Sequence, residues 1–136
     1  MLHTESRYRF SVLAHDFPFE HWDLLLESPR KSAAPAAADD RCLLTWRLLS
    51  SPLTGRDCSA ERLADHRRLY LDYEGPVSDD RGVVQRLETA FYRPIGWDED
   101  GGVFELELVR SRLGDRLSLI RDHDDHWTCR FFRREQ

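Results

Sequence analysis

Apolar and polar residues alternate along most of this chain, a pattern typical of β-strands that bury one face. Residues 8–14 show it most clearly, because Phe10 and Val12 fall on one side while Arg9 and Ser11 fall on the other. The same criteria predict strands at residues 21–27, 42–49, 66–74, 83–91, 103–109, 116–121 and 127–132. Gly, Pro and Asp residues between these stretches predict turns. The sequence therefore predicts a mostly β fold, a compact antiparallel β-barrel with short helical turns.

Two stretches interrupt the strand pattern. Ser59 begins a Ser-Ala-Glu-Arg sequence that fits a weak helix N-terminal signal, so residues 59–62 are predicted to form a brief helical turn. Residues 28–40 (SPRKSAAPAAADD) are rich in Ala, Pro and Ser without apolar periodicity, which predicts a surface loop. With 136 residues, the chain has the length of one domain, and this Ala/Pro-rich loop joins its two halves.

Composition narrows the functional classes. The formal net charge of −5 argues against a strongly basic, nonspecific nucleic-acid binder, although it leaves room for a local basic groove. Cys42, Cys58 and Cys129 are widely spaced, so we expect free thiols rather than disulfides or a zinc knuckle. No apolar run reaches membrane-spanning length and the N-terminus lacks a signal-peptide core. We therefore expect a cytoplasmic, monomeric protein without membrane contact.

The segment HDFPFEHWDLLLE carries the strongest candidate chemistry. On an extended strand, His21 and Asp23 point to one face and Leu24 points to the other. The Cα atoms of His21 and Asp23 are then roughly 6 to 7 Å apart, a spacing that suits two ligands of one metal. A Phe-Pro-Phe turn allows His15 to return beside His21 and complete a two-histidine, one-carboxylate set with open coordination positions. Asp16 is interpreted as a residue that orients an imidazole or as a turn residue. The alternative is a chance grouping on a surface strand.

Other suggestive residues have plainer explanations. Residues 122–126 (DHDDH) lie between two predicted strands, where such residues commonly form a solvated hairpin turn, so we predict a turn rather than a second metal site. Trp22, Trp46 and Trp127 alternate with apolar residues and are predicted to be core residues. Trp97 lies in a predicted loop and is the one exposed candidate for stacking on single-stranded nucleic acid.

Three sequence blocks together resemble the 3′-phosphoesterase domain of bacterial DNA ligase D, which also exists as a stand-alone protein. The HDFPFEHWDLLLE segment is similar to the family's H-D-x(4)-H-[YF]-D-[FL]-x-L-E motif. LLTWRL at residues 43–48 is similar to its L-x-S-W-A-V strand, and DHRRLYLDYEG at residues 65–75 to its D-H-P-x-x-Y-x-D-F-E-G block. The blocks occur in the family's order, and the resemblance extends from about Tyr8 to about Phe132.

The resemblance implies a compact β-barrel with its site in a polar cavity on one side. It implies a manganese site at His15, His21 and Asp23, although zinc or iron would fit the same ligands. It also implies that His66 contacts the scissile phosphate and that Tyr70 belongs to the active site. The expected activity is metal-dependent removal of a 3′-phosphate or a 3′-terminal ribonucleotide from a primer-template in DNA repair. A DNA ligase and other repair proteins are the expected partners.

The strand predicted at residues 66–74 bears on these roles independently of the resemblance. Alternation would put His66, Tyr70 and three further polar residues, Arg68, Asp72 and Glu74, on one face. Such a face can line a cavity beside a metal. It can equally be the solvated outer face of an edge strand.

Departures from the family pattern open a second interpretation. Leu25 and Cys58 stand where the family commonly has phosphate-binding arginines, and residues 48–50 lack its lysine. Arg47, Arg62 and Arg68 are candidate replacements, as are Arg67, Arg81 and Arg86. Without a replacement, the protein would be a noncatalytic module that keeps the metal site and binds nucleic-acid ends or repair proteins. A phosphatase for small metabolites is a third, weaker alternative.

Overall fold

Strands account for most of the residues that the computed structural model describes, which are residues 7–30 and 37–134. The strands are β1 (Tyr8–His15), β2 (His21–Leu26), β3 (Arg41–Leu48), β4 (Cys58–Arg67), β5 (Gly75–Pro76), β6 (Val83–Asp98), β7 (Val103–Ser111), β8 (Gly114–His123) and β9 (His126–Phe132). Two short 3-10 helices occur at Pro52–Thr54 and Arg68–Leu71.

All neighbouring strands are antiparallel, and eight of them close into a barrel. The order around the barrel is β1-β2-β3-β4-β9-β8-β7-β6, and β6 then pairs with β1. The two-residue strand β5 is attached to the start of β6, outside this ring. The predicted mostly β, antiparallel barrel with short helical turns is confirmed. Closure gives each of these eight strands a partner on both sides along part of its length, which is how such barrels limit edge-to-edge aggregation.

The barrel interior contains the larger apolar cluster. Alternate residues of each strand enter it, as the sequence pattern predicts, and Trp46 packs edge-on against Phe104 and Trp127 with ring centroids 5.5 and 5.3 Å apart. Trp46 and Trp127 are buried and Trp22 packs against the same cluster, so the prediction that these three are core residues is confirmed.

A second apolar cluster lies on the outer face of the barrel. It consists of Leu13, Leu25, Leu43, Leu71 and Val84. The first three alternate with interior residues along β1, β2 and β3, so their side chains point outward, and the 3-10 helix at Arg68–Leu71 covers them. The Ser11 hydroxyl donates to the Leu71 carbonyl at 2.6 Å and ties this cover to β1. The outer face of β1–β3 is therefore covered by the 3-10 helix, and the candidate site lies beside this covered region.

Two element predictions are wrong. Residues 59–62 are not a helical turn but part of β4, because pairing with β3 on one side and β9 on the other overrides a weak local helix signal. Residues 66–74 are not a strand, since β4 ends at Arg67 and a 3-10 helix follows. The backbone NH of Leu69 donates to Ala38 at 3.0 Å, and that of Arg68 donates to Asp40 at 2.8 Å, so this segment bonds to the loop before β3 instead of to a strand.

Strand β6 is longer than predicted, and this changes the interpretation of Trp97. The strand continues through Pro94 to Asp98, because Pro94 lies beyond the last β1 partner, where β6 is paired on one side only. Trp97 is therefore a strand residue. Its ring stacks on Tyr92 and packs edge-on against Phe104, with centroids 6.1 and 4.6 Å away. The expectation that it is an exposed stacking candidate is wrong.

The remaining predictions concern loops. Residues 122–126 include the exposed turn of the β8–β9 hairpin, with Asp124 at a φ of 50°, which confirms the predicted turn. Of the loop predicted at residues 28–40, residues 31–36 lie outside the described part, and residues 37–40 are exposed. Among the described residues there is no helix with the length and apolarity needed to span a membrane.

Candidate metal centre

The β1–β2 hairpin brings His15, His21 and Asp23 together. His15 and His21 are direct cross-strand neighbours at the end of the hairpin, and Asp23 lies opposite Leu13 two positions further along β2. All three side chains point away from the barrel interior because they alternate with interior residues on their strands. One potential ligand atom from each residue lies within 4.8 Å of the other two. His21 and Asp23 are buried and His15 is half-buried.

Backbone carbonyls fix the orientation of both imidazoles. His15 Nε2 lies 2.8 Å from the Arg81 carbonyl oxygen, and His21 Nδ1 lies 2.9 Å from the Phe19 carbonyl oxygen. A carbonyl only accepts hydrogen bonds, so these nitrogens carry the ring protons. In the neutral rings, His15 Nδ1 and His21 Nε2 then present lone pairs. This pattern, with one nitrogen donating to a carbonyl and the other left free, is the usual arrangement of histidines that bind metals.

Both lone pairs face the Asp23 carboxylate. His15 Nδ1 lies 3.5 Å from Asp23 Oδ2, and His21 Nε2 lies 3.2 Å from Asp23 Oδ1. Oδ1 is buried and has no hydrogen-bond partner among residues 7–30 and 37–134. Three acceptors that face one another repel unless a cation or a proton lies between them. Ligands about 2.1 Å from one ion lie roughly 3.0–3.4 Å apart. The 3.2 Å separation falls in this range and the 3.5 Å separation lies just above it, so a small inward movement would let the three residues share one divalent ion.

Protonation is the alternative way to balance this charge. A hydrogen bond to Asp23 raises the pKa of His15 above its ordinary value, against the opposing effect of burial. Burial would raise the pKa of Asp23, but hydrogen bonds with His15 and His21 and the nearby His66 outweigh it and lower that pKa to about 2. Asp23 is therefore an anion at neutral pH, and protons compete with metal ions for this site.

A cavity of about 260 Å³ opens beside the three residues. Its apolar wall includes Leu63 together with Leu13, Val77 and Val84, and the last three belong to or adjoin the outer cluster. Its polar wall consists of His15, His21, Asp23, His66, Tyr70, Arg47 and Arg81. Imidazole, phenol and guanidinium groups thus surround a space that is large enough for a phosphate group.

His66 and Tyr70, the two predicted catalytic residues, both line this cavity. Their rings meet edge to face with centroids 6.0 Å apart. His66 Nδ1 bonds to the Ala64 carbonyl at 3.0 Å, so Nε2 is the atom available to a bound group. The Tyr70 hydroxyl accepts from Arg67 Nη2 at 3.3 Å and keeps its own proton to donate. They come from a strand end and a 3-10 helix, not from one face of a strand as predicted.

The three candidate phosphate-binding arginines occupy different environments. Arg47 lies directly opposite Asp23 on β3 and lines the cavity. Arg62 points elsewhere, with its guanidinium carbon 4.8 Å from the centre of the Trp46 ring. Arg68 forms an ion pair with Glu27 at 3.0 Å. Neither Arg62 nor Arg68 is among the residues that line the cavity, so the expectation that they replace the missing cations is not met by their positions.

Asp16 anchors a loop and does not contact an imidazole through a hydrogen bond. Its Oδ1 accepts from the Val83 backbone NH at 2.8 Å. This bond holds the start of β6 against the β1–β2 connection. Of the two interpretations offered for Asp16, its position agrees with the turn residue.

Sequence reasoning did not single out Phe17 and gave Arg81 only as one of several basic residues, yet both line the cavity. The Arg81 carbonyl orients His15, and the Arg81 guanidinium donates to the Ser78 carbonyl and hydroxyl at 2.9 and 3.1 Å. A backbone carbonyl leaves no trace in a sequence. The Asp-Asp-Arg-Gly sequence at residues 79–82 predicts a turn, but it does not predict that this turn contacts His15.

Comparison with known proteins adds no relative. No protein-family model matches the chain, and no curated protein matches it significantly. The resemblance to the DNA ligase D phosphoesterase domain therefore stays a prediction that depends on the three sequence blocks, and the function is argued from the site.

Proposed function

We propose that this protein is a divalent-metal-dependent phosphoesterase that processes 3′ ends of nucleic acid, removing a 3′-phosphate or a 3′-terminal ribonucleotide. One observation carries the proposal: His15 Nδ1, His21 Nε2 and the Asp23 carboxylate converge, with a buried carboxylate oxygen left without a hydrogen-bond partner among the described residues. This convergence lies at the wall of a cavity that also contains two arginines and a further histidine.

The donor set fits a first-row divalent ion. Two imidazoles and one carboxylate suit manganese, zinc or iron, and manganese is the ion that the family resemblance favours. Bound there, the ion would neutralise charge on a phosphate and make water more acidic. The chain's own contribution is to hold the two histidine ligands in place through the Arg81 and Phe19 carbonyls, so that little reorganisation of the imidazoles accompanies binding.

His66 and Tyr70 would act on the phosphate directly. His66 is held by the Ala64 carbonyl at Nδ1, so in the doubly protonated ring Nε2 can stabilise developing charge or give a proton to the leaving oxygen. Tyr70 can donate its hydroxyl proton to a nonbridging phosphate oxygen, because Arg67 occupies the hydroxyl only as an acceptor.

Arg47 is the best-placed cation for the same phosphate. Its Nη1 is 3.8 Å from Glu61 Oε1, a separation that indicates a weak ion pair. Its Nε is buried and makes no hydrogen bond to any residue in the described ranges. A guanidinium with spare donors on a cavity wall suits a phosphate oxygen, since such charge-assisted bonds are strong and geometrically specific.

The rival function also has an observation in its favour. Leu25 is completely buried among Leu13, Leu43 and Leu71, and Cys58 is buried in the barrel interior. No cation stands at either position, so a phosphate in this cavity would be held by fewer charges than in the family that the chain resembles. A noncatalytic module that binds nucleic-acid ends through the metal site is the second candidate.

Purified protein with manganese should release phosphate from a 3′-phosphorylated primer-template, and His21→Ala should abolish the release. His126→Ala is the matched control, because it removes an exposed histidine of the β8–β9 hairpin. Equal loss of activity in both variants would contradict the assignment of the site. Binding of the 3′-phosphorylated end without turnover, across manganese, zinc and iron, would favour the noncatalytic module.

A further inference from the structure

Two large aromatic side chains are exposed at the mouth of the candidate site. Phe17 and Phe19 lie in the connection between β1 and β2, and 40% and 49% of their respective surfaces are accessible. Phe17 lines the cavity itself. Exposed phenyl rings beside a charged cavity are costly to keep in water unless something covers them.

Phe17 is held firmly at its backbone. Gly82 approaches so closely that a Cβ built there would lie 2.6 Å from Phe17 Cβ and would also collide with Asp16 Oδ1. The hydrogen bond between Asp16 and the Val83 backbone NH joins the same two segments. The Phe17 ring is therefore presented from a braced backbone instead of from a loose loop.

Phe19 differs from Phe17 in its contacts, although it is the more exposed of the two side chains. Its ring meets His21 edge to face at 5.6 Å, and the Arg47 guanidinium carbon lies 5.5 Å from its centre. Phe19 thus supports two groups of the site. Phe17 has no aromatic or cation contact of this kind among residues 7–30 and 37–134.

The size of the cavity argues for a ligand that extends beyond it. At about 260 Å³, it is slightly smaller than the pockets of roughly 300–1,000 Å³ that enclose whole small molecules. A phosphate and part of a sugar fit inside, and the attached base must then lie at the rim, where Phe17 is exposed. Arg47 supplies positive charge on the phosphate side.

We infer that Phe17 is a stacking platform for the terminal base of a nucleic-acid strand whose 3′-phosphate lies in the cavity. This inference depends on the proposed function and narrows its substrate class to ends that carry a base. Aromatic rings stack on bases of any sequence, so the platform would select for the presence of a terminal base and not for its identity. Small phosphate esters without a base would bind less well.

The test compares two 3′-phosphorylated, 5′-labelled oligonucleotides that differ only in whether the terminal residue carries a base or is the tetrahydrofuran abasic analogue, which cannot lose its phosphate by β-elimination. Their affinities are measured by fluorescence anisotropy, and phosphate release gives a KM for each. In the unmodified protein, removal of the terminal base should weaken binding and raise KM about tenfold, as expected for loss of one base–aromatic stack. In Phe17→Leu the two oligonucleotides should bind equally.

Phe91→Leu is the matched control, because Phe91 is an exposed phenylalanine seven residues along β6 from Val84, which lines the cavity. It should retain the full tenfold discrimination. Release of phosphate from both oligonucleotides with equal KM would overturn the stacking inference and leave the proposed function intact. Absence of both release and binding would instead remove the proposed function. Because the comparison of substrates uses the unmodified protein, equal affinities for the two oligonucleotides would overturn the inference even if Phe17→Leu does not fold.

Discussion

Divalent metal should stabilise this fold through one carboxylate, and Asp23→Asn should remove that stabilisation. The amide has nearly the size of the carboxylate but lacks its charge. Its NH₂ group can donate to the lone pair that His21 Nε2 presents at 3.2 Å, so the metal-free variant should fold as well as the original protein or better. Metal affinity, in contrast, depends on the negative charge.

The expected rise in Tm follows from the linkage between metal binding and folding. A ligand at 100 times its dissociation constant raises the free energy of unfolding by about 2.7 kcal/mol when it binds only the folded state. For a chain of 136 residues, typical unfolding entropies convert this into a rise in Tm of about 9 °C. The unmodified protein should show this shift with manganese, and Asp23→Asn should show almost none.

Thermal unfolding followed by circular dichroism at pH 8 provides the assay. Asp23 raises the pKa of His15 in the folded state, so ion pairing between them stabilises the fold below the ordinary histidine pKa and fades as pH rises through the raised value. The assay is run at pH 8, above the ordinary histidine pKa, because the ion-pair contribution there is smaller than at lower pH. Asp125→Asn is the control, because Asp125 is an exposed acid beside His126 in the β8–β9 hairpin. An equal manganese shift in Asp23→Asn and the unmodified protein would refute the reasoning.

Three further predictions concern the same site. Arg47→Ala should lower kcat/KM for phosphate release about 10- to 100-fold, as expected for loss of one charge-assisted contact, without changing the manganese shift in Tm; an unchanged kcat/KM would exclude Arg47 from the phosphate site. Manganese affinity measured by calorimetry should fall as pH drops through the raised pKa of His15, because protons and metal compete for Nδ1; a flat profile from pH 8 to 5 would contradict this. Gly82→Ala should weaken manganese binding and lower Tm by several degrees, because the new Cβ meets Phe17 and Asp16 and the residue has a φ of 81°; metal affinity and Tm equal to those of the unmodified protein would show that the loop does not brace the site.

Alternation made most of the barrel predictable, and failures occur where tertiary pairing overrides local signals. Strand β1 follows its pattern because Phe10 and Val12 enter the interior while Ser11 and Leu13 face the outer layer. Residues 59–62 carry a helix-start signal, but an isolated helical turn is much less stable than a strand that pairs with a neighbour on both sides. At residues 68–71, polar alternation imitates a strand, but Leu71 is needed to cover the outer cluster.

In the candidate site, too, some residues were predictable from local sequence and others depend on tertiary contacts. His15, His21 and Asp23 were predictable because hairpin geometry and strand period are local properties of one segment. The contribution of Arg81 was not, since its carbonyl reaches His15 from 66 residues away. Arg62 and Arg47 look equivalent in the sequence, yet strand register puts one beside Trp46 and the other opposite Asp23. Register among distant strands is a tertiary property, so sequence alone could not choose between these arginines.

Anomalous diffraction from crystals soaked in manganese tests the central claim most directly. The account predicts one strong peak, roughly 2.2 Å from His15 Nδ1, His21 Nε2 and an Asp23 carboxylate oxygen. A peak at His123 and His126 in the β8–β9 hairpin instead, or no peak while the three side chains keep their present positions, would contradict it.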